Sequence, residues 1–157
     1  MTIRISSIST SDPLSPVIPW TPSLAGLPAL SVRQPWAWLI VSGLKNIENR
    51  PRRTYHRGQL LIHAGLSLES YTQDNIEWLE NRYGVYIPRE LDTGGIVGVV
   101  DVVDCVDSHG SKWFNKGNFG WVLTNQKRLR FRECRGALGV FKPKLKYDNV
   151  RRKRICV

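Results

Sequence analysis

The sequence predicts an α+β fold, a small β-barrel with flanking helices. Three observations carry this reading. The chain has 157 residues, the size of one domain. Four to six β-branched or aromatic runs recur between Gly- and Pro-rich breaks. Two or three helical stretches are inserted early among them, an order that suits a small α+β barrel.

The elements follow in chain order. Residues 1–28 are rich in Ser, Thr and Pro and lack periodicity, so they read as an irregular arm whose Trp20 can dock onto the domain. "SVRQPWAWLIVSG" (31–43) predicts a short amphipathic helix near 34–42. Pro35 suits its first turn, Trp36, Leu39 and Ile40 share one face, and Gly43 fits a left-handed residue past its end. "GQLLIHA" (58–64) predicts a strand. "SLESYTQDNIEWLENRYG" (67–84) predicts a long helix. Ser67 would be its N-cap, Leu68, Ile76, Leu79 and Tyr83 its apolar stripe, and Gly84 its stop. "GGIVGVVDVVDCV" (94–106), "FGWVLTN" (119–125) and "GALGVFKP" (136–143) predict further strands.

Composition narrows the function classes. At 41% apolar and 10% aromatic residues the chain can build a core. No apolar run approaches the roughly 18 residues that span a bilayer, and the N-terminus lacks the apolar region of a secretory signal. Cys105, Cys134 and Cys156 are odd in number and far apart, with neither a disulfide framework nor metal-ligand spacing. The expected location is therefore the reducing cytoplasm, and no cofactor is implied. The net charge of +10 is one-sided. Residues 1–125 hold eleven Lys/Arg and eleven Asp/Glu, whereas residues 126–157 hold twelve Lys/Arg against Glu133 and Asp148. Such asymmetry is the footprint of a polyanion partner, with Arg151, Arg152, Lys153 and Arg154 as candidate contacts; the alternative is a solubilising tail.

"SGLKNIENRPRR" (42–53) sets one acid among four cations. If "KNIEN" is extended, Lys45, Ile47 and Asn49 face one way and Asn46, Glu48 and Arg50 the other. Glu48 can accept from an exocyclic amine, Arg50 offers a planar fork of donors, and Lys45 is a mobile point charge. Arg52 and Arg53, beyond Pro51, are placed to reach a backbone phosphate. These groups suit a nucleobase or phosphate-bearing ligand; the alternative is a surface ion-pair cluster of little energy. Trp36 and Trp113 are candidate stacking surfaces. Trp113, in a Gly- and Asn-rich turn, is expected to be exposed, whereas Trp121 alternates with Val122 and Leu123 as a core residue would.

"LSVRQPWAWLIVSGLKNIENRPRRTYHRGQLLIHAG" resembles the signature of the ASCH domain, a member of the PUA-like superfamily. The matching pattern is a Gln-Pro-Trp helix start, GxKxxExR (Gly43, Lys45, Glu48, Arg50) and Arg57-Gly58 leading into a strand. "GGIVGVVDVVDC", "WFNKGNFGWVL" and "RECRGALGVF" resemble its later blocks. The resemblance covers residues 29–143, leaving the arm at 1–28 and a basic tail at 144–157. It implies a PUA-like barrel whose cleft is lined by GxKxxExR, and RNA, single-stranded or carrying a modified base, as partner. Some small relatives are hydrolases, acting on acetylcytidine or cleaving RNA. For an enzyme, Lys45 and Glu48 are the catalytic candidates, with a later carboxylate drawn from Asp101, Asp104 or Asp107. In the amidohydrolase branch a Thr stands where this chain has Glu48. His63 and His109 are isolated in sequence and read as core or surface residues. Three functions remain open from the sequence: nucleic-acid binding, hydrolysis of RNA or modified nucleosides, and protein interaction.

Overall fold

The computed structural model describes residues 16–148 and 153–156. Its class is α+β, as the sequence predicts. Nine strands are described: β1 (Val17–Ile18), β2 (Ala29–Val32), β3 (Ile47–Arg50), β4 (Gly58–Ala64), β5 (Gly95–Val106), β6 (Phe119–Glu133), β7 (Val140–Phe141), β8 (Leu145–Asp148) and β9 (Lys153–Cys156). The helices are α1 (Trp36–Val41) and α2 (Gln73–Tyr83). Seven strands form one mixed sheet in the order β1-β6-β5-β4-β2-β7, and β3 also pairs with β6. β8 and β9 form a separate antiparallel hairpin.

The sheet curls because β6 serves two strands on one side: its start pairs with β3 and its later half with β1, while β5 follows it on the other side. Register shifts within the β5–β6 and β4–β5 pairings add twist. The curl is barrel-like but the sheet is not closed. Among the described residues no helix is long and apolar enough to cross a membrane.

α1 lies over the sheet and buries Leu39 and Ile40 completely, each worth about 1.5–3 kcal/mol. Pro35, after a cis peptide bond, precedes its first residue and supplies no side-chain cap. Gln34 fills that role, because its Oε1 accepts from the Trp38 amide at 3.0 Å while its Nε2 donates to the Asp92 carbonyl at 2.9 Å. Gly43 is left-handed at φ 82°, as expected. Trp20 docks as expected, its indole N–H donating to the Arg130 carbonyl at 2.9 Å.

Three expected elements differ. The second helix begins at Gln73, not near Ser67, because Thr72 is the cap: its hydroxyl accepts from the Asn75 amide at 3.3 Å. Leu68 accordingly lies outside the helix and is 56% exposed. The strand expected at 119–125 continues to Glu133, so the first eight residues of the basic segment belong to the central sheet. The strand expected at 136–143 shrinks to Val140–Phe141, because residues 135–139 form a loop with Gly139 at φ 66°.

Candidate functional site

The chain turns out of α1 at Gly43 and immediately places Lys45. The Lys45 amide donates to the Leu39 carbonyl at 2.9 Å. Gln126 of β6 then ties the junction: its Nε2 donates to the Ile40 carbonyl at 2.5 Å and to the Lys45 carbonyl at 2.7 Å. Lys45 stands two residues before β3, so strand alternation does not govern it. Its buried side chain donates to the Ile47 carbonyl and reaches toward Glu48. The expectation that Lys45 and Glu48 face opposite ways is therefore corrected.

Glu48 sits between two cations. Its Oε1 lies 3.7 Å from Lys45 Nζ and its Oε2 lies 3.7 Å from Arg50 Nη2. Arg50 is fixed from the other side by donating to the Ser31 carbonyl of β2 at 2.7 Å. Burial pushes the Lys45 ammonium below its ordinary range, Glu48 opposes this and Arg50 adds to it. A carboxylate among these cations keeps acceptor capacity for a ligand, because both contacts are longer than a hydrogen bond.

These residues line a cleft of about 790 Å³. Its aromatic walls are Trp36, Tyr83 and Trp113. Lys45 Nζ lies 5.9 Å from the Trp36 ring centre. Trp113 stacks on Tyr83, with centroids 3.9 Å apart and planes 18° apart. The expected exposure of Trp113 is corrected: it is only 4% exposed. Asn49 is the reason. Its Nδ2 donates to the Trp113 carbonyl at 2.8 Å and its Oδ1 accepts from the Asn115 amide at 2.9 Å, which clamps the 111–118 turn onto β3. Trp121 is buried in the core, as its alternation predicts.

The structure brings together Trp36, Lys45, Glu48, Arg50 and Trp113, but not the remaining candidates. Arg52 is exposed beyond Pro51. Arg53 donates to the Cys105 carbonyl at 3.1 Å and covers the Phe119 ring at 4.8 Å. Arg151 and Arg152 lie outside the described residues, and Lys153 and Arg154 fall in β9. Asp101, Asp104 and Asp107 do not line the cleft, where Glu48 is the only carboxylate among the described residues. His63 is a buried pin beside a neighbouring cavity. Its Nε2–H donates to the Cys134 carbonyl at 2.7 Å, which leaves Nδ1 to accept from the Ser31 hydroxyl at 2.9 Å. Burial pushes its pKa down.

Asn49, Tyr83 and Gln126 are cleft or supporting residues that sequence reading missed. Tyr83 carried a signal, since it ends the apolar stripe of the second helix. Gln126 carried none, because its partners lie more than eighty positions away.

The ASCH domain family model matches residues 30–151. The chain belongs to the ASCH domain family. Two curated proteins contain a similar stretch: Activating signal cointegrator 1 of Homo sapiens and of Mus musculus, each 36% identical over 83 residues. That alignment covers 49% of this chain but only 14% of each relative. The likeness therefore concerns an ASCH domain within much longer proteins. Within this ASCH domain, GxKxxExR spans the turn after α1 and strand β3, and its Lys45, Glu48 and Arg50 share the charged lining of the cleft with Arg33.

Proposed function

We propose that this ASCH domain binds single-stranded nucleic acid, RNA foremost, by taking one base into the cleft. The observation that carries the reading is the buried Glu48 carboxylate held between Lys45 and Arg50 and faced by aromatic walls. A base entering there gains a ring surface, and stacking is worth roughly 1–3 kcal/mol per base. Glu48 accepts from an exocyclic amine and so rewards some bases over others. Arg50 donates to a base carbonyl or a phosphate. Arg52 and the basic excess after residue 125 neutralise phosphates outside the cleft. The test is an NMR titration with short single-stranded RNAs. Amide signals of Asn49, Arg50 and Trp113 should shift saturably. Shifts confined to surfaces away from the cleft overturn the reading.

A second reading is favoured by the buried position of Lys45 beside Glu48, where burial pushes the lysine pKa down. An unprotonated Lys45 amine can take a proton from water as the water oxygen bonds to an acyl carbon. The carbon–nitrogen bond then breaks, and Glu48 shuttles the proton to the leaving amine. Acetylcytidine is the substrate to try. Turnover abolished by Lys45→Ala with the fold intact supports hydrolysis. Inactivity of the pure protein on acetylated nucleosides across roughly pH 6–9, the span in which general bases are poised, returns the cleft to binding alone.

A further inference from the structure

The cleft has a neighbour. A second cavity of about 910 Å³ adjoins it, and Ser31, Gly65, Leu66, Ala137 and Leu138 line both. The shared border is an apolar ridge exposed to solvent: Leu138 is 100% exposed and Leu66 is 76% exposed. Both leucines are positioned by glycines. Leu138 stands beside Gly139, whose φ of 66° suits few other residues. Leu66 lies over Gly94, where a Cβ would come within 2.9 Å of its Cδ2. The second cavity offers what a nucleotide needs. Phe131 is half-buried on its wall, His63 lies at its back, and the exposed Arg135 stands at its edge with Glu133 also on the lining.

Leu138 is fully exposed at the lip of a charged cleft and belongs to none of the core clusters. Apolar side chains in such positions wedge between adjacent bases and hold them unstacked. We propose that Leu138, with Leu66, is a wedge separating two successive nucleotides: one base enters the Glu48 cleft, and the next base in the strand occupies the second cavity against Phe131, with its phosphate toward Arg135. This rests on the proposed base-binding role of the cleft and adds a site two nucleotides wide, with Leu138 as the residue that couples its halves.

The experiment compares three ligands by NMR titration: adenosine monophosphate, the dinucleotide pApA, and the same dinucleotide with an abasic second sugar. The abasic ligand separates the second base from the second phosphate. With the full chain, pApA should bind about five-fold or more tightly than the abasic ligand, the factor that stacking of one base supplies. Leu138→Ala should bring that ratio close to one, a larger change than any it makes in adenosine monophosphate affinity. Leu138→Met, which keeps an apolar wedge, should retain it. Equal affinity of pApA and the abasic ligand overturns the proposal, as does a Leu138→Ala loss of equal size for all three ligands. In either case, saturable cleft shifts with adenosine monophosphate leave the base-binding reading standing. No binding of any ligand overturns both.

Discussion

Lys45 Nζ lies 3.7 Å from Glu48 Oε1, and both side chains are buried. Removing one partner of a buried pair strands the other charge and costs several kcal/mol. Glu48→Ala leaves Lys45 and Arg50 facing each other and should destabilise the fold by about 3 kcal/mol. Lys45→Met combined with Glu48→Leu should recover most of that loss. Urea denaturation of Lys45→Met, Glu48→Leu and their double variant measures the coupling; a strictly additive double variant shows that the pair is not coupled.

Gln126 supports the same site from β6. Gln126→Ala leaves the Lys45 carbonyl without its side-chain donor, at about 1–3 kcal/mol for an unsatisfied buried group, while the Ile40 carbonyl still accepts from the Gly43 amide. It should also loosen Lys45 and weaken ligand binding, although Gln126 does not line the cleft. Denaturation together with a binding titration reads both effects. Full stability and affinity in the variant remove Gln126 from the support of the site.

The pH dependence of stability follows from His63. Its folded pKa lies below the ordinary value of 6.5. Between the folded and unfolded values the unfolded chain binds more protons, so stability is complete above about pH 6.5 and is lost as pH falls toward the folded value. Melting temperature should fall with acidification below that point in the wild type, and less steeply in His63→Gln. A parallel fall in both proteins assigns the effect to other groups.

Salt should report the basic segment. Log affinity for single-stranded nucleic acid falls with log salt at about 0.7 per neutralised phosphate. Deleting residues 144–157 should flatten that slope without abolishing it, because Lys127, Arg130 and Arg135 remain on and beside β6. An unchanged slope shows that the tail makes no phosphate contacts.

Local features were legible in the sequence, and long-range ones were not. The α1 end, Gly43, and the Lys45, Glu48 and Arg50 spacing lie within a dozen residues, where helix termination and strand entry are decided by neighbours. The exposure of Trp113 was misread because a Gly- and Asn-rich turn looks solvated; its burial depends on Asn49, 64 positions earlier. The start of α2 was misread because Ser67 and Thr72 are both good caps and only tertiary contacts choose between them. The extent of β6 was hidden by its charges, which mask the inward-facing Leu129. Leu138 was invisible as a ridge because the two cavities it divides are built from strands, helices and loops spread from Ser31 to Gly139.

We propose the Lys45–Glu48–Arg50 stretch as the wall of a base-reading cleft, with Arg52 a phosphate contact outside it. The decisive measurement is titration of wild type, Glu48→Gln and Arg52→Ala against short single-stranded RNAs of different base composition. Glu48→Gln keeps the shape but removes the anionic acceptor, so the order of preference among bases should change more than the mean affinity. Arg52→Ala should weaken all sequences about equally. The same uniform loss in both variants, or no loss in either, would contradict the claim and make the stretch a buried ion-pair support for the fold.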